Sequence, residues 1–121
     1  MSGERDLGSH VADMIEACER IIVFAQGATD QQLTDESQAL WSAVLYHLMI
    51  LGEAAKKVPE EWRARFDEIP WKRIAGMRDK IVHYYFSLSI DAVLFAVRTS
   101  VPAILPQLRA MLEGMDAESE G

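Results

Sequence analysis

The stretch ERDLGSHVADMIEACERIIVFAQ, residues 4–26, decides the fold class. Its apolar side chains, Leu7, Val11, Met14, Ile15, Cys18, Ile21, Ile22 and Ala25, recur at steps of three and four. That is the period of a helix with one face turned to a core, and the opposite face carries the acids Asp13, Glu16 and Glu19. Gly27, followed by Ala28-Thr29-Asp30, predicts a helix stop and then a short polar loop.

The same period continues outward. A second long helix is expected from near Asp35 or Ser37 to Val58, with Leu40, Val44, Leu48, Leu51 and Ala55 on its core stripe. Pro59-Glu60-Glu61-Trp62 predicts a short helix over 60–66, anchored by Trp62 and Phe66. Pro70 opens a third main helix over 70–86, with Ile74, Met77, Ile81 and Tyr84 on one side. Ser89 is a suitable cap for a last helix beginning at Ile90, and Pro102 and Pro106 predict a kink or restart near Ser100. No alternating pattern long enough for a sheet is present. The expected fold is all-α: an up-and-down bundle of four main helices plus the short helix near 60–66, forming one domain over 1–112. The acidic tail 113–121 is expected to fray.

Composition sets the outer limits. A chain of 121 residues, half of them hydrophobic, suffices for one modest core. Cys18 is the only cysteine, which excludes an internal disulfide and a cysteine-based zinc site and fits a reducing compartment. The first twenty residues lack an apolar signal-peptide core, and no stretch approaches the ~20 apolar residues of a membrane helix. A cytoplasmic protein, with no membrane association, is expected. Net charge is −7, which argues against a general phosphate-binding surface. Charge is unevenly spread, however. Residues 56–80 hold eight of the twelve basic side chains against five acids, making that window +3. An ordinary solvated face would also account for it.

One dense polar constellation stands out, Arg78-Asp79-Lys80-Ile81-Val82-His83-Tyr84-Tyr85. On an ideal helix Asp79 and His83 lie side by side, and Arg78 and Tyr85 share a stripe. Arg78 and His83 diverge by about 140°. A curled arginine, a loosened helix end, or a second copy facing across a two-fold axis would each bring them together. Such residues suit RNA cleavage by internal transfer, without a cofactor or metal. His83 would move the proton, Arg78 would meet charge building on the phosphoryl oxygens, and Asp79 would orient His83. A buried network tying two helices together accounts for the same spacing. Glu53 fits either the cleft or a surface pair with Lys57, and Lys80 either an RNA phosphate or solvent. Trp41, Trp62 and Trp71 read as packing residues, and neither His10 nor His47 has the neighbours of a metal centre.

Two segments carry a resemblance: Ile50-Leu51-Gly52-Glu53-Ala54-Ala55-Lys56-Lys57-Val58-Pro59, and Ile69-Pro70-Trp71 through Met77-Arg78-Asp79 to His83-Tyr84-Tyr85-Phe86. Together they resemble the HepT-type toxins of the HEPN superfamily, over roughly residues 5 to 112. The family pattern of Arg, four residues, His, any residue, Tyr falls on Arg78, His83 and Tyr85. The resemblance implies a helical bundle that forms a homodimer with the motif at its interface, and a metal-independent endoribonuclease acting on RNA. It implies a partner too, a minimal nucleotidyltransferase antitoxin that transfers AMP from ATP to Tyr85, possible in a higher hetero-oligomer. Tyr84, aligned with Ile81 and Met77, is expected in the core. The competing reading is a non-catalytic helical module that docks on a nucleotidyltransferase and helps to hold its substrate; acidity favours it, the intact motif the nuclease.

Overall fold

The computed structural model describes residues 6–120, which are helical and contain no strand. In chain order the helices are α1 (Leu7–Gln26), α2 (Asp30–Leu33), α3 (Ala39–Ala55), α4 (Glu60–Arg65), α5 (Trp71–His83), α6 (Ile90–Phe95) and α7 (Val101–Glu120). A 3₁₀ turn, Tyr85–Ser87, follows α5, and a π-helical stretch, Ala96–Ser100, joins α6 to α7. The expected start of the first helix at residue 4 lies outside the described residues.

Helix α1 packs on α3 and α7, and α3 packs in turn on α5. Val11, Met14, Cys18, Ile21, Trp41, Leu108 and Met111 meet between these helices and are almost completely enclosed. Each large apolar side chain removed from water there contributes about 1.5–3 kcal/mol before chain entropy is counted. Burial pushes the Cys18 thiol up to about 12. Trp41 and Trp62 are buried and Trp71 packs against the core, as expected. No helix among the described residues is long and apolar enough to cross a membrane.

Three local expectations are corrected. The polar connection after Gly27 contains α2, which starts at a capping box: Thr29 Oγ1 accepts from the Gln32 amide, and Gln32 Oε1 accepts from the Thr29 amide. Leu33 then enters the core. Arg98, from the π-helical stretch, donates to the Ala25 and Ala28 carbonyls at 2.7 Å each and pairs with Asp30 at 3.0 Å. It thereby ties the end of α1, where the Ala25 carbonyl also accepts from the Ala28 amide, to the π-helical stretch. Second, the acidic tail does not fray at residue 113. Helix α7 runs on to Glu120 because Met115 is buried and Glu118 accepts from Arg65 at 2.6 Å. Third, α5 stops at His83, three residues early, and the Tyr84 backbone leaves helical geometry (φ −134°, ψ 39°). Aromatic residues lose rotamer freedom in a helix, and the run Tyr84-Tyr85-Phe86 gives the chain little reason to continue.

The expected break near Ser100 is present. The wider π turns lie just before Pro102, whose ring and missing N–H disturb the preceding α-helical turn. Ser89 caps α6 as expected, accepting from the Ala92 amide at 3.1 Å.

Candidate active site

The site begins at a helix crossing. A Cβ placed on Gly52 of α3 would lie 2.3 Å from the Arg78 Cβ and 2.8 Å from the Ile74 carbonyl oxygen of α5. Only glycine lets the two backbones approach so closely. The Gly52-Glu53 pair noted in the sequence therefore has a physical reason: the first residue admits α5 and the second meets what α5 brings.

What α5 brings is Arg78. Its Nε lies 3.3 Å from Glu53 Oε1, and its Nη1 donates to Asp79 Oδ1 at 3.1 Å. The same Asp79 oxygen accepts from Lys56 Nζ at 2.6 Å. The Lys56 hydrogen bond first, and the Arg78 bond second, hold the Asp79 carboxyl below the usual carboxylate range. Arg78 is 22% exposed, but its Nε–H is buried and finds no aligned acceptor. Glu53 thus attracts the guanidinium without completing that hydrogen bond. The surface pair of Glu53 with Lys57 is replaced by Glu53 with Arg78. Lys56, whose place beside the motif depends on the crossing, was not singled out from the sequence.

Asp79 faces Arg78 and Lys56, and none of its hydrogen bonds goes to His83, so the expected orienting contact is absent. His83 is the last residue of α5 and lies open to solvent, its ring edge-on to Tyr84 at 6.4 Å. Lys80 is exposed one turn earlier. The structure joins Arg78, Asp79, Glu53 and Lys56 directly; it does not bring His83 into their hydrogen-bonded chain.

The two tyrosines are placed differently from expectation. With α5 ending at His83, Tyr85 no longer shares a helical stripe with Arg78, and Tyr84 no longer follows Ile81 inward. Tyr84 is 64% exposed, a correction to its expected core position. Tyr85 is 40% exposed, and its hydroxyl oxygen accepts from the Trp41 indole N–H at 3.3 Å. Phe86 packs edge-on against Tyr85 and is otherwise fully exposed. Along α5 and the turn after it the chain thus offers a fixed cation at Arg78, then an exposed imidazole at His83 and a partly exposed phenol at Tyr85.

Sequence comparison matches residues 14–111 to the family described as ribonuclease HepT-like. Two Methanocaldococcus jannaschii proteins, whose names give them provisionally as RNases, are each 29% identical to this chain; they cover 97% of it and 96% of their own lengths. A Thermococcus cleftensis protein whose name gives it provisionally as ribonuclease HepT is 30% identical over 84% of this chain and 91% of its own. No solved structure gives a significant match.

Proposed function

The chain belongs to the ribonuclease HepT-like family, and from that membership we propose that it is a metal-independent endoribonuclease, the toxin of a toxin–antitoxin pair. The observation that carries this reading is the fixed Arg78 on the same short helix that ends in the solvent-facing His83. The ribose 2′-oxygen attacks the adjacent phosphorus while His83 takes its proton. The bond from phosphorus to the 5′-oxygen breaks, that oxygen gains a proton, and a cyclic phosphate is left behind. Arg78 donates to the phosphoryl oxygens as their charge grows. Asp79 and Glu53 act through Arg78 by fixing its position, a different role for Asp79 from the one its spacing to His83 suggested.

Because Arg78 and His83 diverge on α5, two copies related by a two-fold axis supply the complete site as a homodimer. A minimal nucleotidyltransferase antitoxin neutralises it. The Tyr85 hydroxyl oxygen attacks the α-phosphorus of ATP, the phenolic proton is released and pyrophosphate leaves. Tyr85 then carries AMP, and its bulk and negative charge oppose RNA at the site. The alternative, a helical module that only docks on a nucleotidyltransferase, draws support from the two carboxylates already occupying Arg78.

The deciding measurement is cleavage of RNA in excess chelator. His83→Ala and Arg78→Ala are each expected to lose activity about a hundredfold or more, with unchanged helical content. Cleavage that persists in both variants would sink the catalytic assignment. Intact mass after incubation with the nucleotidyltransferase and ATP is expected to rise by AMP, and to stay unmodified in Tyr85→Phe. Modification retained by that variant would move the acceptor elsewhere.

A further inference from the structure

Trp41 links the enclosed interior to the motif. It stands in the first turn of α3 with 1% of its surface exposed, so its indole N–H is largely shut away from water. A buried donor of this kind needs a partner. That partner is the Tyr85 hydroxyl oxygen, 3.3 Å away, at the long end of the range for such a bond. The bond ties the turn after α5 to the start of α3. Among the described residues, no other side chain of the run Tyr84 to Ser87 hydrogen-bonds to the rest of the chain.

The chemistry of the pair fixes its direction. An indole donates and cannot accept, so the Tyr85 oxygen is the acceptor and commits one lone pair inward. Its own O–H has no acceptor among the described residues and, with Tyr85 40% exposed, turns to solvent. The phenolic proton and the second lone pair are thus both presented outward. Tyr84 is the contrast. It is 64% exposed, its ring meets only the edge of the His83 ring, and its hydroxyl makes no hydrogen bond among the described residues. An enzyme acting on Tyr84 would have to immobilise that side chain, whereas Tyr85 is already held.

We infer that Trp41 is a positioning residue for AMP transfer: its indole N–H holds the Tyr85 oxygen with the phenolic proton outward, and so makes Tyr85 the acceptor in preference to the more exposed Tyr84. This rests on the AMP-transfer reading above and adds the residue that directs it. The outward lone pair of the Tyr85 oxygen forms the bond to the α-phosphorus of ATP. The phenolic proton passes to water, and pyrophosphate leaves with the electron pair of the broken P–O bond. Trp41 touches neither ATP nor phosphorus; it acts by orienting the attacking oxygen. Transfer also ends the contact. An oxygen shared between an aryl ring and phosphorus is a poor acceptor, so the indole N–H loses its partner once AMP is in place.

The test is AMP transfer to the full chain by the nucleotidyltransferase with ATP, followed as initial rates and mapped by fragment-ion mass. Trp41→Phe removes the indole N–H. So does replacing Trp41 by its isostere with sulfur in place of the N–H, which keeps ring shape and volume should the smaller ring unsettle the core. Trp71→Phe, which removes an indole bonded at 3.1 Å to the Phe66 carbonyl, is the control. Both changes at Trp41 are expected to lower kcat for Tyr85 about two- to tenfold, with KM for the chain unchanged and a larger share of AMP on Tyr84. The control is expected to match wild type. In nitrogen-labelled protein the Trp41 indole N–H resonance should move on AMP transfer and in Tyr85→Phe alike, while those of Trp62 and Trp71 stay. Unchanged kcat and unchanged site with both replacements overturn the inference alone. An equal loss in Trp71→Phe does so too, as does a change confined to KM, which would make Trp41 a docking contact. A wild type that takes no AMP on Tyr85 overturns the AMP-transfer reading together with it.

Discussion

The contact of α1, α3 and α7 and the outer edge formed by α5 and α6 are built on opposite terms. In α1 six residues are buried and in α3 eight, while α5 buries only Ile74 and α6 only Val93. The first region is held by apolar area, which any well-packed side chain of the right volume supplies. The edge buries less: α5 sets Trp71, Ile74, Met77 and Ile81 against the core, crosses α3 closely at Gly52, and adds the ion pairs of Arg78 with Glu53 and of Lys56 with Asp79. On the function proposed above, the chemistry would lie mainly on α5 and cohesion mainly on α1, α3 and α7, and substitutions should separate them.

The largest expected effect on stability is in the interior. Leu108→Ala removes a side chain with no exposed surface and should cost about 2–5 kcal/mol in chemical denaturation. If instead it lowers cleavage while stability holds, the division between the regions fails. Next comes Gly52→Ala, which forces α5 away from α3. A destabilisation of about 1–3 kcal/mol is expected, with cleavage falling more steeply than folding because Arg78 is the side chain displaced. Equal activity per folded molecule would show that the crossing does not set the site.

Smaller effects appear on titration. The Cys18 thiol, pushed up to about 12 by burial, stays neutral in the folded chain after it ionises in the unfolded one. Stability should therefore decline as pH rises above the ordinary thiol range of about 8.5, and Cys18→Ala should remove that part of the decline. Native protein should resist thiol reagents until it unfolds. At the edge the sign reverses. Asp79, depressed by Lys56 and then by Arg78, contributes stability above its unfolded value of about 3.9 and loses it as pH falls through its lower folded value. Because this carboxylate is solvent-exposed, the acid limb should differ only slightly between wild type and Asp79→Asn.

The interior was legible because burial leaves a period. Leu7 to Ala25 and Val93 to Leu112 announce their inward faces, and the Pro102 restart follows from a missing donor. The Thr29 to Gln32 capping box was available in the sequence as well, but α2 is only four residues long and too short to show a period. The edge was less legible. Whether Glu53 meets Lys57 or Arg78 depends on the register of α3 against α5, which no local spacing contains. The roles of Tyr84 and Tyr85 turned on the helix end: stopping at His83 instead of residue 86 reverses which tyrosine faces solvent more.

Lys56, Asp79, Arg78 and Glu53 alternate in sign along their line of contacts, and their formal charges cancel. On the function proposed above, the arginine meant for a phosphate has little field beyond contact range, and the acidic remainder of the chain repels polyanions at a distance. Encounter with RNA should then lack the electrostatic acceleration of a basic nuclease, and its rate should rise, if it changes at all, as salt is added. Selectivity would be decided after collision, when a correctly seated phosphate displaces one carboxylate from the guanidinium. A strand that merely drifts past would meet a neutral surface.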